Sequence, residues 1–439
     1  MESYLIDASG YHGHAEQVFV PATEAELIEI IGKASAGSIP ITVSGAGTGV
    51  TGGRVAQGGW VVSMEKFQRL EIKLGRATAG AGVSLEAIQA AAGRQFYAPD
   101  PTEQTASIGG TIATNASGSR SFRYGSTRRH ILGLRVAFMD GSVRTFERGD
   151  KVDFPVAQIP LPRTTKNTAG YLLSAGMAWV DLLVGSEGTL GIVIEAGLQL
   201  LPKPNDVLAG VVFLESDEAA LTAVEDWRDL KGLRMIEYFD RNSLAFLRER
   251  FPEIPAQAGA ALLIEQEEGD VDFWVDHAPE DSWFAVSDHD RERFRRFRHA
   301  LPELVNDTVR RRGFLKVNSD YAVPLDRNRE MLAYYHSRLQ GAGLDYVIFG
   351  HIGDAHVHVN ILSNSAEQFE AGQSLMLQFA RKAVELGGTV SAEHGLGKRK
   401  AKLLALQYTP EQIGAMKAVK THLDPQWLLN RGNLFQNGL

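Results

Sequence analysis

The sequence contains no cysteine, and this absence excludes several kinds of chemistry at once. Disulfide bonds, thiolate nucleophiles and cysteine-bound iron–sulfur clusters all need a residue that this chain does not have. The chain can therefore hold no cysteine-bound relay for electrons.

Long apolar runs and an excess of positive charge are also absent. No segment approaches the roughly 18 consecutive apolar residues of a transmembrane helix, and Met1–Asp7 has no basic segment followed by an apolar run. We therefore expect neither a transmembrane segment nor a signal peptide, and we place the protein in the cytoplasm, with peripheral attachment to a membrane left open. The net charge of −8 and the pI of about 5.9 argue against a nucleic-acid partner.

Glycine, by contrast, is abundant: 45 of the 439 residues are glycine, and many of them lie in clusters. The first cluster, Ser44–Gly53, follows an apolar segment over 39–43 that predicts a buried strand. Within the cluster, Gly47–Gly52 matches G-x-G-x-x-G, which in a Rossmann fold precedes a helix. Here Trp60–Met64 predicts another strand instead. We therefore expect a loop between strands whose backbone N–H groups bind a pyrophosphate, the alternative being a tight glycine turn.

Two further glycine-rich segments and a proline pair organise the rest of the chain. Ser107–Gly118 and Leu182–Ile194 combine glycine with hydroxyl residues and are able to pass close to a flat ligand. Pro202 and Pro204 then mark a domain boundary. The order of strands and helices after this boundary favours an α+β domain with an antiparallel sheet. We predict strands over 260–265, 314–317 and 345–350, and helices over 218–230 and 327–339.

Two charged segments lie in this second part of the chain. Glu265–Asp270 is rich in carboxylates and is predicted to be a solvated loop. Arg291–Arg298 places basic residues at helical spacing, which predicts an exposed helix face for most of its arginines. The guanidinium groups of such a helix could also line a site.

Four of the 12 histidines lie in two short segments about thirty residues apart. The two segments, Phe349–Asn360 and Ser391–Gly397, contribute His351, His356, His358, Glu393 and His394. In a strand, His356 and His358 share one face, whereas His351 and His358 are separated by an odd number of positions. The histidines at 351 and 358 can converge only if the turn at Gly353-Asp354 interrupts the alternation.

Imidazoles together with a carboxylate suit zinc, manganese or a similar divalent ion. We predict that His351, His358 and Glu393 bind such a metal and leave one position open for a substrate. His394, held between small residues, would act as a general base. The alternative is a pair of packed strand histidines beside an exposed loop, and the direction of His356 is left open.

In their order along the chain, these motifs resemble those of the FAD-linked D-2-hydroxyacid dehydrogenases, which are vanillyl-alcohol-oxidase-like flavoproteins. That group includes D-lactate dehydrogenase, the glycolate oxidase catalytic subunit and D-2-hydroxyglutarate dehydrogenase. The resemblance extends from about residue 20 to Phe435. It is carried by Gly45-Ala46-Gly47-Thr48-Gly49, Ile108-Gly109-Gly110 with Thr114-Asn115, Arg123-Tyr124-Gly125, Gly185-Ser186-Glu187-Gly188-Thr189-Leu190-Gly191, Gly350-His351 with His358 and Asn360, and Glu393-His394-Gly395.

The resemblance implies an α+β fold in which a PCMH-type FAD-binding domain precedes a ferredoxin-like cap domain with an antiparallel sheet. The FAD-binding domain would cover residues 1–204, and the substrate or cap domain would cover residues 205–385. Residues 386–439 would return to the FAD-binding domain and complete the active site.

The resemblance also implies roles for individual residues. In metal-dependent members, the ligands fall on His351, His358 and Glu393, and the base falls on His394. The substrate would contact Arg298, Lys316 and Asn360. Noncovalent FAD would be held by Gly45, Ala46, Gly47, Thr48, Gly49, Thr51, Gly52, Pro99, Asp100, Ser107, Gly109, Gly110, Thr114, Asn115, Gly118, Tyr124, Gly125, Glu187, Gly191, Ile192, Ile194 and Asn430.

The implied reaction is the oxidation of a D-2-hydroxy acid, of the D-lactate, glycolate or D-2-hydroxyglutarate type, to the 2-oxo acid. In this hypothesis a divalent metal, zinc or manganese, binds the substrate oxygens while His394 accepts the hydroxyl proton and Arg298 pairs with a carboxylate. The C2 hydrogen leaves as hydride to the flavin N5, and the electrons pass to an external acceptor such as a quinone, a cytochrome or an electron-transfer flavoprotein. A homodimer and a subunit of a complex are both left open.

Three alternatives stand beside this hypothesis. Another vanillyl-alcohol-oxidase-like flavoenzyme, such as an alkyl-glycerone-phosphate synthase or a metal-independent alcohol oxidase, would share the glycine-rich segments. A non-catalytic flavin-binding subunit of a glycolate-oxidase-like complex would also keep them, although the two histidine segments argue against it. The third alternative is a metal hydrolase that uses the histidine and glutamate residues, but the glycine-rich segments would then have no function.

Overall fold

A computed structural model describes residues 2–436 of the protein. In the first half of the chain, short apolar segments separated by glycine-rich loops form the strands. The strands are β1 Gln17–Phe19, β2 Ile41–Ser44, β3 Trp60–Ser63, β4 Leu70–Lys73, β5 Arg76–Gly80, β6 Gln95–Phe96, β7 Ile131–Ala137, β8 Val143–Glu147, β9 Ile192–Gln199, β10 Leu201–Pro202, β11 Val207–Leu214, β12 Leu233–Asp240, β13 Ala260–Glu267, β14 Trp283–Ala285, β15 Val317–Asn318, β16 Tyr346–Gly350 and β17 His358–Ile361.

Helices cover or connect these strands. The α-helices are α1 Glu24–Ala36, α2 Leu85–Ala91, α3 Ile108–Thr114, α4 Ser121–Tyr124, α5 Thr127–His130, α6 Trp179–Leu183, α7 Asp217–Trp227, α8 Arg241–Leu247, α9 Val271–His277, α10 Asp288–Arg312, α11 Asn328–Gly341, α12 Ala366–Glu385, α13 Leu404–Gln407 and α14 Pro410–Leu423. Short 3₁₀ turns cover Glu2–Tyr4, Leu325–Arg327, Ile352–Asp354 and Ala401–Leu403.

The first half of the chain forms three small sheets. Strands β1, β3 and β2 make a parallel sheet in that order, and β4-β5-β9-β7-β8 make an antiparallel one. Strand β10 pairs with β6. The strand predicted after the first glycine cluster is confirmed as β3, and the loop between β2 and β3 contains no helix. The prediction that the G-x-G-x-x-G match does not open a Rossmann helix is therefore confirmed.

The second half is built on a seven-stranded sheet in the order β14-β11-β13-β12-β16-β17-β15. Each neighbouring pair in this sheet is antiparallel. Helix α10 packs on one face, where Phe297 and Leu301 join the cluster of Val347 and Phe239. The predicted α+β class with an antiparallel sheet is confirmed, and two of the predicted helices correspond to α7 and α11.

Two local predictions in this half are wrong. The acidic segment is not a solvated loop over Glu265–Glu267, because β13 continues to Glu267, whereas Glu268 and Asp270 follow the strand and are exposed. Two N–H groups of Arg120 donate to the carboxylate of Glu265, at 2.7 and 3.0 Å, and the Tyr124 hydroxyl donates to Glu267. The strand predicted over 314–317 is shifted, since only its last residue belongs to β15.

The C-terminal residues return to the first half of the chain. The Ile41 N–H donates to the carbonyl of Leu428 at 2.9 Å. The side chain of Asn430 accepts from the Val43 N–H at 2.7 Å and donates to the carbonyl of Glu187 at 3.0 Å. This segment therefore holds β2 against the third glycine-rich segment.

Candidate active site

The first two glycine-rich segments are joined by one serine. Ser107 caps the N-terminus of α3 and accepts hydrogen bonds from the N–H groups of Gly110, at 3.4 Å, and Ala46, at 3.3 Å. A side chain on Gly45 would lie 2.6 Å from the Ser107 hydroxyl. Gly47 has φ +85°, and a side chain there would overlap the guanidinium of Arg54. Bare backbone is therefore a steric requirement of this loop.

A cavity of about 390 Å³ opens where the three glycine-rich segments meet the seven-stranded sheet. This volume lies within the usual range of small-molecule and cofactor sites. From the glycine-rich side it is lined mainly by residues 45–51, 106–118 and 186–193, and from the sheet and α10 by Glu237, Arg298, His299, Phe349, His351, His358, Glu393 and His394. The imidazoles and carboxylates thus lie at one wall of a cavity whose other walls are largely glycine and hydroxyl residues.

The predicted turn between the histidines is present. Ile352–Asp354 forms a 3₁₀ turn, and Ala355 adopts a left-handed conformation with φ 50°. This turn interrupts the strand alternation, so the ring centres of His351 and His358 lie 5.4 Å apart. Potential ligand atoms of His351, His356, His358 and Glu393 all lie within 4.8 Å of one another. The structure therefore brings the three predicted ligands together and adds His356 to them.

Two buried carboxylates that the sequence did not single out hold these imidazoles. Glu237 on β12 lies 2.5 Å from Nδ1 of His351, which leaves Nε2 facing Glu393 at 3.2 Å. Asp320 lies 3.2 Å from Nε2 of His356 and 3.2 Å from Nδ1 of His394. Its other oxygen accepts from the backbone N–H of His394 at 3.0 Å. Such outer carboxylates fix ring orientation and tautomer in metal sites.

The electrostatics of the site follow from this pairing. Burial alone would raise the pKa of Glu237, but the charges of His351 and Arg298 lower it to about 2. Burial alone would lower the pKa of His351, but Glu237 and Glu393 raise it to about 9. For His358 the charge of Glu393 is not enough to compensate: burial and the neighbouring imidazoles hold its pKa well below the ordinary value. These pKa shifts favour the charged form of His351 and the neutral form of His358 beside the carboxylate of Glu393.

His394 is in a different environment. Burial lowers the pKa of its imidazole below the ordinary value, and the attraction of Asp320 only partly offsets this effect. Its ring stacks beside that of His358, with centres 5.5 Å apart, and it lines the cavity. A neutral imidazole at neutral pH is able to accept a proton.

The predicted contact residues fall into two groups. Those that line the cavity are Gly45, Ala46, Gly47, Thr48, Gly49, Thr51, Ser107, Gly109, Gly110, Thr114, Gly118, Glu187, Gly191, Ile192, Arg298 and Asn430. Gly52, Pro99, Asp100, Asn115, Tyr124, Gly125, Ile194, Lys316 and Asn360 lie outside the lining.

Several residues of the second group lie directly behind the wall. Asp100 accepts from the Ser119 hydroxyl and from the Arg120 N–H, both at 3.0 Å. Asn115 ends α3 and accepts from the Arg128 N–H at 2.9 Å. Contacts of this kind shape the wall from behind.

The three predicted substrate residues are placed differently from one another. The guanidinium of Arg298 reaches the cavity and lies 3.2 Å from Glu237. Lys316 donates to Asn306 at 3.3 Å. Asn360 is buried, and its side-chain oxygen has no hydrogen-bond partner in the part of the chain that the structure describes.

Comparison with known proteins identifies the class. Residues 203–434 match the family described as FAD linked oxidases, C-terminal domain, and residues 15–147 match the FAD binding domain. The chain therefore belongs to the FAD-linked oxidases: it is an oxidoreductase whose cofactor is FAD. The resemblance inferred from the motifs is confirmed.

Curated relatives of the chain match over nearly its whole length. It is 30% identical to D-lactate dehydrogenase of Anaerostipes hadrus, over 99% of this chain and 92% of the relative. It is also 30% identical to the glycolate oxidase subunit GlcD of Bacillus subtilis (strain 168), over 98% of this chain and 92% of the relative. The identity to D-2-hydroxyglutarate dehydrogenase of Xanthomonas citri pv. viticola is again 30%, over 95% and 89%.

Among solved structures, alkyldihydroxyacetonephosphate synthase has the same fold. Its TM-score is 0.64 at 15% identity, over 94% of this chain and 75% of the synthase. This likeness supports the fold of a PCMH-type flavoenzyme. Among residues 2–436, no helix has the length and apolarity needed to cross a bilayer.

Proposed function

We propose that this protein catalyses FAD-dependent, divalent-metal-assisted oxidation of a D-2-hydroxy acid to the 2-oxo acid. The observation that carries the proposal is the cluster of His351, His356, His358 and Glu393 at the wall of the glycine-lined cavity. The names of the relatives, D-lactate dehydrogenase, glycolate oxidase subunit and D-2-hydroxyglutarate dehydrogenase, agree in the 2-hydroxy acid class.

The cavity fits a noncovalent flavin dinucleotide. Three segments of backbone approach it where side chains are sterically excluded, as at Gly45 and Gly47. Backbone N–H groups of such loops suit a pyrophosphate. The side chains that line its glycine-rich side include no tyrosine and no histidine, so we expect no covalent link to the flavin there.

The cluster fits a divalent cation. His351 and His358 supply imidazoles and Glu393 a carboxylate, a donor set that zinc and manganese accept. Charge balance supports the same conclusion, because four buried carboxylates outnumber the cations near them: two cations make direct contacts, and Lys400 acts on Asp320 at longer range. Within 4.0 Å contacts, the carboxylates are Glu237, Asp320, Asp354 and Glu393, and the cations are Lys166 and Arg298. A bound ion would displace the proton that His351 otherwise holds.

When bound, the flavin would serve as the hydride acceptor, and the cation would serve as a Lewis acid that lowers the pKa of the substrate hydroxyl. The residues of the chain then have distinct roles. His394, oriented by Asp320, accepts the hydroxyl proton at its free imidazole nitrogen. Arg298 reaches into the cavity and pairs with a substrate carboxylate. Lys316 and Asn360 lie outside the lining of the cavity, and their contact with the substrate stays a prediction.

We further propose a division of labour along the chain. Residues 1–204 bind FAD, residues 205–385 form the cap that reads the substrate, and residues 386–439 return with Glu393, His394 and Asn430. The electrons leave to an external acceptor, which could be a quinone, a cytochrome or an electron-transfer flavoprotein, because a chain without cysteine holds no cysteine-bound cluster.

An anaerobic panel of D- and L-2-hydroxy acids tests this function. Purified FAD-loaded protein is mixed with each acid, and loss of the visible flavin absorbance is recorded. We expect at least one D-2-hydroxy acid to reduce the flavin and its L-enantiomer to fail. If no acid reduces the flavin, a non-catalytic flavin-binding subunit becomes the better explanation. If protein stripped by a chelator keeps its full rate on each acid, the oxidation is independent of metal.

A further inference from the structure

The two oxygens of Glu393 have different surroundings. Oε1 accepts from the ammonium of Lys166 at 2.6 Å and from the Ser117 hydroxyl at 2.8 Å. Oε2 lies 3.2 Å from Nε2 of His351 and 4.0 Å from Nε2 of His358. Only one oxygen of this carboxylate is therefore directed at the imidazoles.

Lys166 itself is held on all sides. Its side chain is 3% exposed, and its ammonium has three donors. Two of these donate to Glu393 and to the carbonyl of Gly118, at 2.6 and 3.1 Å, and the carboxylate of Asp354 lies 3.2 Å from the ammonium as an ion pair without a hydrogen bond. The side chain of Asp354 is also 3% exposed. Two hydrogen bonds and the ion pair with Asp354 hold the ammonium in place, and its short hydrogen bond to Oε1 restricts the orientation of Glu393.

The position of Lys166 depends on a long connecting segment, residues 148–178, between β8 and α6. Within this segment the structure contains neither a helix nor a named strand. It is fastened beside Glu393 by Thr168, whose N–H donates to the Ser391 carbonyl at 2.8 Å and whose hydroxyl accepts from the Gly395 N–H at 3.1 Å. Lys166 thereby links the flavin-side wall at Gly118 to the histidine cluster.

We propose that Lys166 is a positioning residue of the metal site, which fixes Oε1 of Glu393 so that Oε2 alone binds the cation. This inference rests on the proposed function, because it concerns the metal that the function requires. The proposal gives a role to a residue that lies 227 positions from Glu393 in the sequence and outside the motifs that contain the proposed ligands.

The proposal and a purely electrostatic role predict opposite results. A positive charge close to a cation repels it, so removal of Lys166 would tighten metal binding if charge were its only effect. If Lys166 orients the ligand, its removal frees Glu393 to rotate, and metal binding weakens.

The test measures dissociation constants for Mn²⁺ and Zn²⁺ on FAD-loaded protein by competition with a chromogenic chelator. The variants are Lys166→Met, which removes the charge at similar length, and Lys166→Arg, which keeps the charge but whose planar fork can occupy both carboxylate oxygens. The matched control is Lys382→Met, because Lys382 also pairs with two carboxylates, Glu330 at 2.8 Å and Glu385 at 3.0 Å, and none of the three residues lines the cavity.

We expect both Lys166 variants to weaken metal binding by about 10- to 100-fold, the usual effect of losing an outer-shell partner, while the control is unchanged. The EPR spectrum of bound Mn²⁺ should change in the Lys166 variants only. Unchanged or tighter metal binding in Lys166→Met overturns the proposal. A Lys166 variant with a lower melting temperature and less FAD, but with unchanged metal affinity, also overturns it. If Lys166→Met does not fold, the metal affinity of Lys166→Arg is the test. A wild-type metal affinity in Lys166→Arg would then contradict the inference. Failure of the wild-type protein to bind either ion would refute the proposed function itself.

Discussion

At the scale of single residues, the candidate site consists of the proposed metal ligands and base and of buried carboxylates that contact them. His351, His358 and Glu393 lie in short motifs that are visible in the sequence. Their partners Glu237 and Asp320 are isolated carboxylates, 114 positions from His351 and 74 positions from His394. No local spacing connects such pairs, so only the folded chain reveals them.

The proposed base gives the first prediction. His394→Gln removes the proton acceptor but keeps a polar side chain of similar size. We expect the rate of flavin reduction by a D-2-hydroxy acid to fall by about 10²- to 10⁴-fold, the usual contribution of a general base. FAD content and metal affinity should be retained, because His394 is outside the proposed ligand set. Rapid-mixing absorbance spectroscopy under anaerobic conditions measures the rate.

The control for this variant is the same substitution at an exposed histidine. His422 on α14 packs beside Phe154 and does not line the cavity. His422→Gln should reduce its flavin at the wild-type rate. A His394→Gln protein that is as fast as this control would show that another group takes the proton.

At the scale of elements, the sequence predicts best where the pattern is local. The loop between β2 and β3 and helices α7 and α11 follow from runs of residues that are close in the chain. β15 has only two residues and therefore has no periodicity to detect. From the sequence, the acidic end of β13 is predicted to be a loop, because its partner Arg120 comes from a segment 145 positions earlier.

The first glycine loop gives the second prediction. Gly47→Ala would place a methyl group in a left-handed position, at φ +85°, and against Arg54. We expect FAD affinity to fall by about tenfold or more, equivalent to about 1.4 kcal/mol, because the loop wall must shift. Fluorescence titration of the apoprotein with FAD measures this affinity.

Gly141→Ala is the matched control for the backbone strain. Gly141 has φ +82° in the turn between β7 and β8, and a side chain there meets nothing within 4 Å. Both variants carry the strain of a left-handed alanine, about 1–2 kcal/mol, but only the loop variant should lose FAD. Equal FAD affinity in the two variants would argue against a pyrophosphate cradle at Gly47.

The third prediction concerns Asp240, which caps α8 by accepting from the Ser243 N–H at 2.7 Å. Its second oxygen is buried and has no hydrogen-bond partner within residues 2–436. Burial raises the pKa of Asp240 to about 7, even though hydrogen bonds from Ser243 and from the backbone of Ile348 oppose the shift. A raised pKa in the folded state means that the stabilisation is complete below the unfolded value of about 4 and is lost as pH rises through 7. Wild-type protein therefore loses stability over this range because of Asp240.

Asp240→Asn cannot ionise and keeps an oxygen for the cap. Relative to wild type, its free energy of unfolding should increase between pH 4 and pH 8 by up to about 4 kcal/mol. Urea denaturation of both proteins across this range measures the difference. The exposed Asp229→Asn serves as control and should show no such trend; a difference that stays constant with pH would contradict the assignment.

At the scale of the whole molecule, the site exists only where three distant parts of the chain meet. The glycine-rich segments form one side of the cavity, the seven-stranded sheet supplies His351 and His358, and the C-terminal return supplies Glu393 and His394. The motifs allowed the family and the α+β class to be inferred from the sequence. The order of the strands, and with it the meeting of these parts, depends on long-range pairing that the sequence does not display.

The most direct test of the account is the effect of the metal on flavin reduction by the best D-2-hydroxy acid of the panel. The rate is measured anaerobically on native protein, on protein freed of divalent ions by a chelator, and after Mn²⁺ or Zn²⁺ is returned. We expect the rate of flavin reduction to fall sharply when the ion is removed while FAD stays bound, and to recover when the ion is restored. A metal-free protein that reduces its flavin at the native rate would contradict the account.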